Sequence, residues 1–354
     1  MASAPATTGA APGAIMSAEI DDQPEVLARL WTGQADEVRR IRAALDDRGH
    51  RFVLFAARGT SDHAALYAKY LVEVHRALPA GLVSPSTSTI YGARPDLRGV
   101  LYVAVSQSGG SPDLVDSLVA ARDCGATTVA VTNNVASELA GAAEFVIDVQ
   151  AGVERAVAAT KSYTAELLAL FLLFGPDLPP SSSEGAQLAE AAHATLQGID
   201  AVDSVAARYR FADRLVTTAR GYAYATAREG ALKLMETSYL AAQAFSGADL
   251  LHGPMAMIDG GVPVVAVVTP GRGGAAMAPV LATLRGRHAD VVLVGGSADA
   301  TAATVLPVRT EGLREELHPI LEILPLQQLA LRLALARGVN PDAPRGLAKV
   351  TETW

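Results

Sequence analysis

The sequence contains one cysteine, an excess of acidic over basic residues and no long hydrophobic run. Cys124 alone can form neither an internal disulfide nor a cysteine-based zinc cage, which fits a reducing compartment. Lys and Arg total 29 against 37 Asp and Glu, and the net charge of −8 argues against non-specific nucleic-acid binding. The longest apolar stretches, 167–174 and 262–268, are far shorter than the roughly 20 residues that span a membrane. We therefore expect a soluble cytoplasmic protein without a nucleic-acid or membrane partner.

The N-terminal region also lacks the basic segment of a secretory signal peptide. Its first fifteen residues are rich in Ala, Pro, Gly and Thr, a composition that predicts a disordered tail. The 354 residues of the chain are enough for about two ordinary domains.

The same pattern of short apolar runs occurs twice along the chain, at an offset of about 162 residues. Each run is rich in β-branched residues and is bounded by Gly, Ser or Asn, as expected for a strand that is buried on both faces. The four pairs of runs are 51–57 with 214–219, 101–105 with 263–267, 127–131 with 290–294, and 145–149 with 305–309.

Segments with helical spacing separate these runs, and one of them places Ser111 at an N-cap and Pro112 at the first helical position. Alternating strands and helices predict an α/β fold with parallel sheets. We expect two tandem doubly wound, flavodoxin-like domains, each with three α/β/α layers. The expected segments are an N-terminal tail (1–24), a first domain (25–195) with a linker at 175–185, a second domain (196–335) and a C-terminal tail (336–354).

Ligands of such sheets bind beyond the carboxyl ends of the strands. The loops of interest therefore begin at Arg58, Ser106, Asn133, Arg220 and Thr269.

The loop after the run 101–105 is rich in hydroxyls and opens a helix. It contains Ser106, Gln107, Ser108 and Ser111, and its hydroxyls and free backbone N–H groups suit a phosphate dianion. The loop matches neither a P-loop nor a dinucleotide-binding fingerprint. An ordinary turn with an N-cap is the alternative interpretation. The corresponding loop of the second copy, at Thr269, lacks the serines, which favours one retained anion site.

Three further polar features are candidates for chemistry, each with a simpler alternative. Glu229, Lys233 and Glu236 share one helical face, and a carboxylate there could move a proton between adjacent carbons, although a solvated Glu–Lys pair has the same spacing. His252, beside a Gly-Pro pair, could shuttle protons or be structural. Lys349 could form a Schiff base with a carbonyl or be a solvated lysine in a frayed tail.

Seven motifs in order resemble one family, the SIS-domain phosphosugar isomerases. The resemblance is to the isomerase half of glucosamine-6-phosphate synthase (glutamine–fructose-6-phosphate aminotransferase) and to the type II glucosamine-6-phosphate deaminases. The motifs are Met16-Ser-Ala-Glu-Ile-Asp-Asp-Gln-Pro24, Gly59-Thr-Ser61, Ser106-Gln-Ser-Gly109, Val157-Ala-Ala-Thr-Lys-Ser-Tyr163, Glu229-Gly-Ala-Leu-Lys-Leu-Met-Glu236, His252-Gly-Pro254 and the stretch from Pro341 to Lys349 and beyond.

The resemblance implies a role for each candidate residue. Glu236 is expected to shuttle the proton between C1 and C2, His252 to assist ring opening across a dimer interface, and Lys349 to form or assist the Schiff base, with Glu229 and Lys233 in support. The residues expected to bind the phosphorylated sugar are Thr60, Ser61, Ser106, Gln107, Ser108, Ser111, Val157 and Ala159. No cofactor and no metal are expected, and the implied assembly is a homodimer with a shared active site.

The sequence also departs from the family pattern. Residue 2 is Ala rather than a nucleophilic cysteine, and no glutaminase domain precedes Met16, so ammonia production from glutamine is not expected. Met235 stands where the synthases commonly carry Lys, and Ala159 where they carry Ser. The favoured hypothesis is a glucosamine-6-phosphate deaminase that yields fructose 6-phosphate and ammonia. The alternatives are an isomerase or deglycase for a related amino- or ketosugar phosphate, and a non-catalytic phosphosugar-sensing module.

Overall fold

The computed structural model describes residues 11–177, 183–296 and 304–349. Within these ranges, ten strands form two five-stranded parallel sheets. The strands are β1 (Phe52–Ala56), β2 (Ala80–Leu82), β3 (Val100–Ser106), β4 (Thr127–Thr132), β5 (Phe145–Asp148), β6 (Arg214–Ala219), β7 (Ala241–Ser246), β8 (Pro263–Val267), β9 (Asp290–Val294) and β10 (Thr304–Leu306).

Helices cover both faces of each sheet in the described part of the chain. The helices before β6 are α1 (Ala14–Asp21), α2 (Gln23–Asp46), α3 (Gly59–Leu71), α4 (Ser86–Thr89), α5 (Pro112–Asp123), α6 (Glu138–Ala142), α7 (Lys161–Phe174), α8 (Glu184–Leu196) and α9 (Ile199–Tyr209). The later helices are α10 (Ala223–Ser238), α11 (Gly247–Leu251), α12 (Arg272–Ala275), α13 (Ala278–Gly286) and α14 (His318–Ala336).

The two sheets have the same topology, which confirms the predicted tandem α/β fold. The strand orders are β2-β1-β3-β4-β5 and β10-β9-β8-β6-β7. Read from its other edge, the second order is β7-β6-β8-β9-β10, which matches the first order strand for strand. In each half, the central pair brings together the first and third strands: β1 pairs with β3, and β6 with β8. The loops after these central strands therefore meet at one edge of each sheet, where doubly wound folds bind ligands.

The strand predictions missed β2 and β7, each of which forms one edge of a sheet. β2 is only three residues long, and β7 has the sequence Ala-Ala-Gln-Ala-Phe-Ser, which contains no β-branched residue. Because alanine is depleted in strands, neither segment carries the apolar β-branched signal of the central strands. The last predicted run, 305–309, forms a strand only over Thr304–Leu306.

The main apolar core is shared between the two halves. It contains buried side chains from α2, α3, α7, α10 and α14 together with the inner faces of both sheets. Each sheet also has one smaller cluster of buried apolar side chains beneath its outer helices. Among the described residues, one helical stretch, Glu315–Ala336, has the length and apolarity of a membrane span, and 83% of its most apolar window is buried inside the protein. That burial is typical of a core helix.

The N-terminal helix and the C-terminal tail contact each other. Residues 1–10 lie outside the described residues, and the expected disordered tail does not reach as far as Ala14, where α1 begins. The Asp342 carboxylate accepts hydrogen bonds from the backbone N–H of Ile15 at 3.1 Å and of Met16 at 2.8 Å. These free N–H groups of the first helical turn favour an anion, so Asp342 holds the tail against α1.

Candidate functional site

A cavity of about 340 Å³ lies at the carboxyl ends of β1 and β3, and we call it the strand-end cavity. It gathers ten of the residues that the sequence predicted for the site: Thr60, Ser61, Ser106, Gln107, Ser108, Ser111, Val157, Ala159, Glu236 and Lys349. The loops of the first half, helix α10 of the second half and the C-terminal tail all contribute. Of the other three predicted residues, Glu229 and Lys233 lie buried behind Thr60, whereas His252 is exposed at the end of α11 and does not line the cavity.

Hydrogen bonds from its own backbone N–H groups to serine hydroxyls shape the serine-rich loop. The Ser106 hydroxyl accepts from Gly109 N–H at 3.2 Å and the Ser108 hydroxyl from Gly110 N–H at 3.3 Å. Gly109 has a φ of +63°, and a Cβ there would lie 2.1 Å from Ser137 Oγ, so this position requires glycine. The turn leads into the N-terminus of α5, where the helix dipole favours an anion.

Ser111 is the N-cap residue of α5, as predicted, but its side chain makes no hydrogen bond to the helix. Arg58, which the sequence analysis did not select, also lines the cavity. Its guanidinium lies 2.7 Å from the buried carboxylate of Asp113 in the first turn of α5. The guanidinium, with Asp113 as its counter-ion, lies beside the serine loop. The only sequence signal for Arg58 was its position directly after a strand.

A buried charge network connects the two halves of the molecule behind the cavity. Lys233 Nζ lies 3.2 Å from Glu229 and 2.6 Å from Glu236, and it donates to Thr60 Oγ1 at 3.0 Å. Glu229 also accepts from Thr60 at 3.1 Å and contacts His63 Nδ1 at 2.7 Å. Burial alone would lower the pKa of Lys233, but the carboxylates of Glu229 and Glu236 raise it, so the ammonium stays charged.

The alternative of a solvated Glu–Lys pair is therefore wrong for Glu229 and Lys233, because both side chains are completely buried. Glu236 is the member of the network that reaches the cavity, with 23% of its side chain exposed. Its carboxylate pairs with the buried Lys233 and lines the strand-end cavity, which the serine loop also lines.

The second charged pair of the cavity joins Lys349 to Glu154. Lys349 Nζ donates to Glu154 Oε2 at 2.8 Å. Glu154 is buried and also accepts from the backbone N–H groups of Thr160 and Ser162 and from the Ser162 hydroxyl. Burial tends to raise the pKa of Glu154, but Lys349 and these hydrogen bonds outweigh it and lower the pKa below its usual value. Lys349 is therefore docked rather than solvated in a frayed tail.

Glu154 was not among the predicted site residues, although it lies three residues before the motif 157–163. A single acidic residue in the apolar stretch 149–159 was the available signal.

Comparisons with known proteins show the family of the chain. The model of the SIS domain matches residues 48–175 and again residues 209–337. The chain belongs to the SIS domain family.

Among relatives of this SIS protein, the glutamine–fructose-6-phosphate aminotransferase of Symbiobacterium thermophilum is 36% identical over 361 residues, which cover 94% of this chain. The chain spans only 58% of the length of that relative. A solved structure from Silicibacter pomeroyi DSS-3, provisionally named a phosphosugar isomerase, is 33% identical with a TM-score of 0.79, and the match covers 94% of this chain and 100% of that one. The C-terminal domain of glucosamine-fructose-6-phosphate aminotransferase from Francisella tularensis has the same fold, with a TM-score of 0.85, 24% identity and coverage of 96% and 100%.

In the described part of the second SIS repeat, a carboxylate fills the loop that corresponds to the serine loop. The loop after β8 corresponds in topology to the loop after β3. There Glu315 accepts from the backbone N–H groups of Arg272 at 2.9 Å and Gly273 at 2.7 Å. A Cβ at Gly271 would lie 2.4 Å from the Glu315 carboxyl carbon, which shows how closely the side chain fits. Glu315 thus takes the place that an anion has available in the first repeat.

Proposed function

We propose that this chain is a glucosamine-6-phosphate deaminase, which converts glucosamine 6-phosphate and water to fructose 6-phosphate and ammonia. One observation carries the proposal: a single cavity in which a hydroxyl-rich anion loop faces the Glu236 carboxylate and the Lys349 amine. The names of the relatives support the substrate class, since one acts on fructose 6-phosphate and another is provisionally a phosphosugar isomerase.

The substrate phosphate is assigned to the serine loop. Ser106, Gln107, Ser108 and Ser111 surround the N-terminus of α5, and Arg58 adds a nearby cation. Backbone N–H groups at a helix N-terminus and nearby hydroxyl donors together bind a phosphate dianion. The sugar then extends from the loop toward Thr60, Val157 and Ala159, with its C1 end near Glu236.

The chemistry follows from the groups at that end. Ring opening breaks the C1–O5 bond and moves the C1 hydroxyl proton to O5. Glu236 removes the C2 proton and returns it to C1, while one amine proton passes to O1, so that C1 becomes an alcohol and C2 an imine. The Lys349 amine displaces ammonia at C2 to form a Schiff base. Water hydrolyses this Schiff base to the ketone and frees Lys349.

Ring opening is the step for which His252 is proposed. His252 is exposed in the single chain and does not line the strand-end cavity. The role therefore requires a second copy of the chain to present its His252 to this cavity, in a homodimer with a shared active site.

A second candidate function is an isomerase or deglycase for a related amino- or ketosugar phosphate. Ala159 lines the strand-end cavity without the hydroxyl that a serine would offer to the sugar, and this observation favours a different sugar. Met235 is half exposed and lines a neighbouring cavity, so it bears less directly on substrate choice. A panel of hexose phosphates and amino-hexose phosphates, compared by kcat/KM, distinguishes the two candidates.

The proposed deaminase is tested by ammonia release from glucosamine 6-phosphate with the purified chain. Glu236→Gln keeps the shape of the side chain but cannot accept the C2 proton, so kcat should fall by about 10²–10⁴-fold while binding of fructose 6-phosphate persists. Glu25→Gln, the same change at an exposed position of α2, serves as the control. A wild-type chain that releases no ammonia would contradict the proposal, and a Glu236→Gln variant with full activity would contradict the role of Glu236.

A further inference from the structure

A fully buried carboxyl group lies directly behind one wall of the strand-end cavity. Glu166, on α7, has 1% of its surface exposed, and its Oε1 is 2.9 Å from the hydroxyl of Ser61, which lines the cavity. Its other oxygen, Oε2, is buried and has no hydrogen-bond partner among the described residues, and the same holds for the nearby Tyr163 hydroxyl. A buried carboxylate with an unpaired oxygen is costly, whereas a neutral carboxyl group needs fewer partners.

The surrounding charges also disfavour ionisation of Glu166. From the loop before α7, Glu154 contributes a negative charge, and from α10 Glu229 contributes another, while Lys349 of the tail is the opposing cation. Burial is the largest effect and raises the pKa of Glu166 to about 8, although the hydrogen bond with Ser61 acts in the other direction.

The protonation state of Glu166 decides how Ser61 can contact a ligand. A neutral Glu166 can donate its proton to Ser61 Oγ, which leaves the Ser61 hydroxyl proton free for an oxygen in the cavity. An ionised Glu166 must instead accept the Ser61 proton, so that Ser61 offers only lone pairs to an anionic ligand. The ionised form also places a further negative charge behind the phosphate-binding region.

We propose that Glu166 is a positioning residue that, as a neutral carboxyl group, turns the Ser61 hydroxyl toward the phosphorylated sugar and so makes ligand affinity fall at alkaline pH. The proposal rests on the proposed function for the identity of the ligand. It concerns binding rather than the proton transfer at Glu236, so it predicts a pH effect on KM and a much smaller one on kcat.

The test is the affinity of the intact chain for fructose 6-phosphate, measured by calorimetry between pH 6.5 and 9. This ligand has no amine, and the second pKa of its phosphate is about 6, so its own ionisation changes little above pH 7. If only the form with neutral Glu166 binds well, Kd should rise by about tenfold between pH 7 and pH 9.

Glu166→Gln supplies the decisive comparison, because its amide can donate to Ser61 at every pH. We expect its Kd at pH 7 to stay within about threefold of wild type and its pH profile to be flat. Glu322→Gln is the matched control: Glu322 is another buried glutamate with a raised pKa, on α14, but it does not line the cavity. This control should keep the alkaline rise in Kd.

Each outcome has a defined meaning. A wild-type profile that is flat from pH 7 to 9, or a Glu166→Gln variant that keeps the alkaline rise, overturns the inference. Binding with the expected profile but without ammonia release overturns the deaminase proposal and leaves the inference in place. Absence of fructose 6-phosphate binding at every pH overturns both. A purely structural role for Glu166 would change the unfolding midpoint of the variant without flattening the binding profile.

Discussion

Lys349 pairs with the buried carboxylate of Glu154, so Glu154→Gln should release the Lys349 amine from the site. The variant keeps an acceptor oxygen for Thr160 and Ser162 but loses the charge opposite Lys349. Breaking a fully buried ion pair costs about 3–5 kcal/mol. The Lys349 side chain remains 24% exposed, so we expect about 2 kcal/mol here, or a factor of about 30 in the docking equilibrium of the tail.

Two measurements check this expectation. The first is limited trypsin digestion, because Arg345 and Lys349 are cleavage sites in the tail, and an undocked tail is cut faster whatever the reaction of the protein is. The second is the kcat for ammonia release, which should fall by up to about 30-fold, with little change in the affinity for fructose 6-phosphate. Lys349→Met is the partner variant. If the effects of Glu154→Gln and Lys349→Met on kcat simply add, or if tail cleavage is unchanged in Glu154→Gln, Glu154 does not act through Lys349.

Two further predictions concern stability. Burial raises the pKa of Glu322 to about 7 from its usual 4.5, so the folded state retains a proton that the unfolded state has lost. Stability should therefore fall as the pH rises from about 4.5 to 7, by about 3 kcal/mol from this group. Glu322→Gln should reduce the fall in urea-unfolding free energy between pH 5 and 7 and leave the part that Glu166 contributes; an unchanged slope would refute it. Glu315→Ala removes two charge-assisted hydrogen bonds at the loop after β8 and should cost about 2 kcal/mol, while Glu315→Gln should cost less. Equal unfolding midpoints for wild type and Glu315→Ala would contradict that estimate.

The repeated fold could be predicted from the sequence because its central strands are buried on both faces. β6, β8 and β9 have the predicted bounds, since a run such as Pro-Val-Val-Ala-Val of β8 leaves few alternatives. The edge strands β2 and β7 could not be predicted in this way. β7 obtains its extended conformation from pairing with β6 and not from the preferences of its alanine-rich sequence.

The candidate site could be predicted only where its residues belong to short motifs. The serine loop follows β3 directly, so the topology of a doubly wound sheet places it at the strand-end edge. Glu236 lies in the last turn of α10 and was selected from its motif and its helical spacing. Glu154 and Glu166 could not be selected, because each is a lone acidic residue whose importance comes from its neighbours in space: Lys349 for the first and Ser61 for the second. Such pairs, separated by more than a hundred residues, leave no local pattern.

The carboxylate of Glu315 in the second repeat has a consequence for titration. A chain built from two copies of one ligand-binding unit suggests two equivalents of ligand at saturation. Because Glu315 already satisfies the N–H groups of Arg272 and Gly273, a sugar phosphate gains nothing there that the protein does not already supply. A calorimetric titration should therefore give a stoichiometry of one ligand per chain, with a single affinity, in spite of the twofold internal symmetry.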